Sequence, residues 1–292
     1  MKSNKYCVIM AGGTRTRFWP LSTKSKPKQF LDILGTGRTL LQQTFDRLIQ
    51  VCPVENVFIV SNEIYKDIIS EQLPELEDHQ ILLEPAKKNT APCIAYANYK
   101  IEQINPDANI VVSPSDHLIQ KEEEFIRVIN EGLEFTEKKE ALLTLGIKPH
   151  RPETGYGYIQ RNNNEELAQN ENIFKVKTFT EKPDYELARK FFESGEYYWN
   201  SGIFLWSLKA IMNAFNKYLP EIDQLFSQGR GIYHTDEEQD FISKVYFEST
   251  AISIDYGIME KAGQVFVVPG SFGWNDVGSW HAVYSLGQKN EN

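Results

Sequence analysis

The sequence predicts an α/β fold of the doubly wound kind, with a mostly parallel central sheet. Three observations carry that prediction. Short β-rich runs alternate with longer amphipathic stretches through the first half of the chain. Several of those runs are continuously apolar rather than alternating, as strands buried on both faces of a parallel sheet are. The composition, 41% hydrophobic, 12% aromatic and 24% charged over 292 residues, is that of an ordinary globular protein and excludes collagen-like, coiled-coil and mostly disordered chains.

Taken in order, the strand candidates are Tyr6–Met10 (YCVIM), Val57–Val60 (VFIV), Ile81–Leu83, Ile110–Val112 (IVV) and Ala141–Leu145. Helical patterns lie between them at Leu40–Val51, Glu63–Gln72, Thr90–Ile104 and Glu122–Lys138. The pattern changes after Gly146. Tyr156–Arg161 and Ile173–Thr180 form two further strands joined by the polar tract NNNEELAQNEN, an antiparallel hairpin insertion with a long solvated loop. Helices follow at Tyr185–Ser194, Leu208–Tyr218 and Glu237–Phe247, and the late apolar run Val265–Val268 returns to the sheet edge. No linker-like stretch or internal repeat divides the chain, so one domain over residues 1–292 is expected, ending in a polar tail after a helix start at Trp280.

Lys+Arg 31 against Asp+Glu 40 leaves a net charge of −9, which argues against nucleic acid as a partner, because phosphate binding draws on clustered basic residues. A small anionic substrate needs only a few local cations and stays open. Cys7, Cys52 and Cys93 are too few and too far apart for a disulfide framework, and the histidines show no zinc spacing. The N-terminal apolar run is too short for a signal peptide or a membrane span. A cytoplasmic setting without membrane attachment is expected.

Strand Tyr6–Met10 runs directly into AGGTRTRFWPLSTKSKPKQF, residues 11–30. Glycines after a first parallel strand let backbone N–H groups approach a phosphate, and Arg17 and Lys28 add charge for a polyphosphate. A plain tight turn explains Gly12–Gly13 equally well. The dinucleotide fingerprint fails because no third glycine opens a helix, and no Gly-Lys-Ser/Thr completes a Walker loop.

The segment resembles the signature of the sugar-1-phosphate nucleotidylyltransferases: a Gly-Gly-x-Gly-x-Arg loop, then Pro-Leu, then Pro-Lys. The matching residues are Gly12, Gly13, Arg17, Pro20–Leu21 and Pro27–Lys28, and Arg15 stands where the family has its third loop glycine. Phe18–Trp19 and Gln29–Phe30 are similar to the mannose-1-phosphate guanylyltransferase branch, as are EPAKKNTAP (84–92), SPSDH (113–117), TEKP (180–183), WNSGIF (199–204) and GWNDVGSW (273–280). The resemblance implies a Rossmann-like, GT-A-like three-layer sandwich. It implies transfer of GMP from GTP to mannose 1-phosphate, assisted by Mg²⁺, without a family-type C-terminal β-helix or isomerase region, and it leaves a homodimer open. Arg15 keeps a catalytically silent nucleotide-sugar-binding relative in view, the generic hexose contacts keep other sugar 1-phosphates in view, and a GT-A glycosyltransferase is the third rival.

Residue roles follow from the same resemblance. Asp116 and Asp276 are the expected metal ligands, although each would also serve as a turn aspartate. Arg17 and Lys28 face the triphosphate and Lys182 the sugar phosphate, which makes these three the catalytic cations. Ala11, Gly12, Gly13, Glu84, Asn89 and Thr90 form the nucleotide site, with the Glu84 carboxylate taking the paired donors of guanine and Asn89–Thr90 also suited to capping the next helix. Gly155, Tyr156, Gly157, Glu181 and Asn200 form the sugar site. His117 is expected to pack behind the metal ligands. Asp255, in SIDYGIMEK, is explained as a helix N-cap and left outside the site.

Overall fold

The computed structural model describes residues 3–14, 16, 18–162 and 172–287. In chain order the strands and helices are β1 Lys5–Met10, α1 Leu40–Leu48, β2 Val57–Asn62, α2 Lys66–Gln72, β3 Ile81–Glu84, α3 Thr90–Glu102, β4 Asn109–Pro114, β5 Leu118–Ile119, α4 Glu122–Lys138 and β6 Leu142–Ile147. The second half contributes β7 Tyr158–Arg161, β8 Phe174–Thr180, α5 Tyr185–Ser194, β9 Tyr197–Ser207, α6 Leu208–Tyr218, α7 Pro220–Ser227, α8 Glu238–Glu248, β10 Val265–Gly270, β11 Trp274–Asn275 and α9 Trp280–Gly287.

Local chemistry starts the helices where the sequence pattern placed them. Thr39 and Gln42 close a reciprocal capping box on α1. Asp184 and Ser207 accept from backbone N–H groups in the first turns of α5 and α6, and Gly195 ends α5 in the left-handed region at φ 71°. α3 is buried along its whole span from Ala91 to Ile101, its one charged residue there, Lys100, paired with Glu238.

Nine strands form one sheet in the order β3-β2-β1-β4-β9-β6-β10-β8-β7, and β5 pairs with β11 separately. Alternate residues of β1 point to opposite faces. Tyr6 and Val8 pack with α3, α6, α7 and α8, while Cys7 and Ile9 pack with α1, α2 and α4. That is a helix–sheet–helix sandwich of three layers.

Two expectations need correction. The sheet is mixed, not mostly parallel. β1 pairs in parallel with β2 and β4, as do β2 with β3 and β6 with β10, but β9 runs antiparallel between β4 and β6. β8 runs antiparallel to both β10 and β7. The polar triplet Asn200–Ser201–Gly202 interrupts the apolar run of β9 and hides its strand character. Second, β10 lies inside the sheet, between β6 and β8, not at its edge. The expected β7–β8 hairpin is present; residues 163–171 of its polar loop lie outside the described residues. β7 also pairs with the start of β9, so β9, β6, β10, β8 and β7 close on themselves. This closure carries residues 155–157, 181–182 and 200–202 to one side of the strand ends of the parallel half. Among the described residues no helix is long and apolar enough to cross a membrane.

Candidate active site

A cleft of about 710 Å³ opens where β1, β3 and β4 end, at Met10, Glu84 and Pro114. Ligands of open α/β sheets bind at such carboxyl ends, because the following loops are free to vary while the strands hold them still. Every described residue expected in the site lines this cleft except Ala11.

The glycine loop forms one wall. Ala11 is fully buried behind it, with its N–H donating to Val60 O (2.8 Å) and its carbonyl accepting from Gln29 and Ser61. Its backbone is therefore committed to the scaffold. Gln29 donates from Nε2 to both Ala11 O and Gly13 O at 2.8 Å and so holds the loop in place. The backbone N–H groups of Gly12 and Gly13 have no acceptor among the described residues. A Cβ on Gly12 would lie 3.0 Å from Glu84 Oε2, so glycine there lets the loop close onto that carboxyl. Lys87 Nζ donates to Thr14 Oγ1 at 3.1 Å and sets a further cation over the loop. Arg17, like Arg15, lies outside the described residues.

Opposite the loop, Lys28 joins the two expected metal ligands. Only 6% exposed, it places Nζ 3.1 Å from Asp116 Oδ2 and donates to the main-chain carbonyl of Asp276. Tyr156 donates its phenol to Asp276 Oδ1 at 2.7 Å, and burial together with the Asp276 charge pushes that phenol's pKa well up, so it stays a donor. The same ring packs edge-on against Trp199 and Trp274. His117 accepts from Trp274 Nε1 at Nδ1 (3.1 Å), which leaves its N–H on Nε2, 3.8 Å from Asp116 Oδ1. Burial lowers the His117 pKa, so it is neutral beside the aspartate. It packs behind Asp116, as expected.

Glu84 stands at the end of β3, 7% exposed, accepting from Tyr246 OH at 2.9 Å. Burial pushes its carboxyl up to about 7. Asn89 caps α3 by accepting from Thr90 N at 3.0 Å, and the Thr90 hydroxyl accepts from Ile254 N at 2.9 Å. Both line the cleft while their polar groups serve the local fold.

At the far end, Gly157 runs so close to Glu181 that a Cβ would collide with Oε2. Glu181 Oε1 pairs with Lys182, whose backbone takes φ 47°. Gly155 N donates to Glu153 Oε1 at 3.1 Å, which fixes the turn leading to Gly157. The amide of Asn200 is largely engaged by the protein: Oδ1 accepts from Thr144 Oγ1 (2.9 Å) and Gly202 N (3.1 Å), and Nδ2 donates to Asp255 Oδ1 (2.8 Å). The N-cap explanation of Asp255 is therefore wrong. Its side chain makes no capping bond to the π-helical turn Asp255–Met259 and instead lines the cleft. Its partner Asn200 is 55 residues away in the chain, so no local pattern could show this.

Among the described residues no group of three or more His, Cys, Asp or Glu is arranged to hold a metal ion. Asp116 and Asp276 nevertheless share the cleft, joined through Lys28, and an oxygen-only pair of this kind fits a hard divalent cation that completes its shell with water and phosphate oxygens.

A mannose-1-phosphate guanylyltransferase of Escherichia coli is 38% identical over 296 aligned positions, covering 99% of this chain and 63% of that protein. Mannose-1-phosphate guanylyltransferase RfbM of Salmonella typhimurium is 39% identical over 289 positions, covering 97% of this chain and 58% of that protein. The chain thus spans about three fifths of the length of these curated relatives. The crystal structure of a mannose-1-phosphate geranyltransferase from Thermus thermophilus superposes with a TM-score of 0.84 at 31% identity, covering 97% of this chain and 80% of that one. The nucleotidyl transferase family model matches residues 6–292, and the chain belongs to that family.

Proposed function

We propose that this protein transfers GMP from GTP to mannose 1-phosphate, giving GDP-mannose and pyrophosphate. The observation that carries the proposal is the buried Lys28 ammonium between Asp116 and the Asp276 carbonyl, in a cleft that also holds the glycine loop and Glu84. The ionised phosphate oxygen of the sugar attacks the α-phosphorus of GTP, and the bond to the pyrophosphate oxygen breaks. The nucleophile needs no deprotonation, so catalysis reduces to holding the two phosphates in line and neutralising charge as it spreads. Lys28 is the fixed cation for the α-phosphate, Arg17 and the glycine-loop amides bind the remaining phosphates, and Lys182 takes the sugar phosphate. Asp116 and Asp276 would hold Mg²⁺, which when bound neutralises and orients the phosphate oxygens. The relatives named as mannose-1-phosphate guanylyltransferases support the choice of sugar and base.

Glu84 is the proposed guanine reader. Raising a carboxyl from 4.5 to about 7 corresponds to roughly 3 kcal/mol against its charged form. Hydrogen bonds to a charged group contribute about 1.5–3 kcal/mol each, so the two donors of the guanine edge offset that cost. A base without paired donors does not. Because the acid is raised, the form that accepts from guanine is scarce below about pH 7 and dominant above it. The affinity for GTP relative to ATP is therefore expected to rise about tenfold between pH 6 and pH 8. Glu84→Gln should flatten that profile and narrow the GTP/ATP ratio, both readable by calorimetry. A flat ratio in the unmodified protein would remove Glu84 from base recognition.

The direct test incubates the protein with Mg²⁺, GTP and a sugar 1-phosphate and follows pyrophosphate. Release with mannose 1-phosphate but not glucose 1-phosphate is expected. Nucleotide binding without release would sink the proposal in favour of a silent binding protein.

A further inference from the structure

The far end of the cleft holds more acceptor capacity than the protein uses. The Glu181 side chain is 7% exposed; one oxygen meets Lys182, and Oε2 is buried with no hydrogen-bond partner among the described residues. Asp255 stands beside it. The turn that carries Asp255 clasps the Glu181 main chain: Glu260 Oε1 accepts from Glu181 N at 2.8 Å, and Tyr256 OH donates to Glu181 O at 3.5 Å. These bonds from the Glu260 and Tyr256 side chains tie the Asp255 turn to the main chain of Glu181. Burial, then the neighbouring Glu181 charge, pushes Asp255 up to about 7.

A buried acceptor without a donor costs about 1–3 kcal/mol, so a native cleft that keeps one open is suited to a ligand that donates. Lys182 is the cation nearest this pair and already meets Glu181. What the pair lacks is neutral donors, and the hydroxyls of a hexose supply them. Asn200 is less suited to that task, because its amide is engaged by Thr144, Gly202 and Asp255; its role is to aim Asp255. The segment before Asp255 is also tied to the opposite wall. Ile252 N donates to Lys88 O, Ala91 N donates to Ile252 O, and Ile254 N donates to the Thr90 hydroxyl. One hydrogen-bonded frame therefore carries both Asp255 and the residues next to Glu84.

Resting on the function proposed above, we propose that Asp255 is a specificity-determining residue: its carboxyl, aimed by Asn200, accepts a hydrogen bond from a ring hydroxyl of the sugar 1-phosphate alongside Glu181. The experiment titrates mannose 1-phosphate and its four monodeoxy analogues, by calorimetry, into the unmodified protein and into Asp255→Asn. Both are first loaded with Mg²⁺ and a GTP analogue that cannot be cleaved between the α- and β-phosphorus. At pH 8, where a carboxyl raised to about 7 is mostly ionised, Asp255→Asn should weaken mannose 1-phosphate by about tenfold or more, the usual effect of losing a hydrogen bond to a charged group, while the GTP analogue binds within about twofold of before. One deoxy analogue should bind both proteins equally, which identifies the hydroxyl. Unchanged affinity for mannose 1-phosphate overturns the inference. So does an equal loss for every analogue, because that reports a collapsed pocket and not a lost contact. If the unmodified protein prefers another hexose 1-phosphate, the choice of mannose fails on its own, and the same comparison with that sugar still decides Asp255. Binding of no hexose 1-phosphate overturns both.

Discussion

Lys28→Met is expected to lower kcat by about 10²–10³-fold, the range seen when one preorganised donor to a developing charge is removed from a closed site. The size follows from the environment of this lysine. The residue is 6% exposed and its ammonium is held by Asp116 Oδ2 and the Asp276 carbonyl, so its position is set before substrate arrives. A cation in that setting costs no reorganisation as charge spreads over the α-phosphate. Methionine keeps much of the volume and none of the charge. Lys28→Arg should fail to restore the rate, since a planar guanidinium does not fit between two such close partners. The check is steady-state pyrophosphate release with thermal melting alongside. A wild-type kcat in Lys28→Met would remove Lys28 from the reaction.

Asp116→Asn is expected to remove most Mg²⁺-dependent turnover, by about 10²-fold or more, since Lewis-acid neutralisation of phosphate is worth several kcal/mol. The amide keeps the shape of the carboxylate and still offers an oxygen to Lys28, so the fold and nucleotide binding should change little. Asp276→Asn should act in the same direction, and it also weakens the acceptor of the Tyr156 phenol. A Mg²⁺ titration of rate decides the matter, with both variants needing far more Mg²⁺ than the unmodified protein. An unaltered Mg²⁺ midpoint in Asp116→Asn would break the assignment. His117 is not expected to replace the lost ligand, because Trp274 Nε1 donates to its Nδ1 and so leaves the proton on the Nε2 that faces Asp116.

Most of the candidate site was visible in the chain as short motifs following strand ends. Gly12, Gly13, Lys28, Glu84, Asp116, Gly157, Glu181, Lys182, Asn200 and Asp276 all line one cleft. Neighbouring residues in a βα turn share a place because the strand delivers them together, so a local motif suffices. Three assignments changed in character. Ala11 is scaffold, Asn200 is mostly engaged by its own protein, and Tyr156 serves Asp276 from 120 residues away. Asp255 and Tyr246 carry no local mark of their place in the site, since each acts through a bond to a residue far along the chain.

By itself the sequence determined the parallel half, β1 to β4, the β7–β8 hairpin and the loops that carry charge, since each depends on apolar period and turn chemistry within a few residues. Only the tertiary structure decided that β9 enters between β4 and β6, that β10 lies inside the sheet, and that Asp255 faces the cleft. A strand's neighbours and a carboxylate's partners are chosen by which backbone groups and charges remain unsatisfied after the rest has packed. That choice is made across space, between residues the chain order does not bring together.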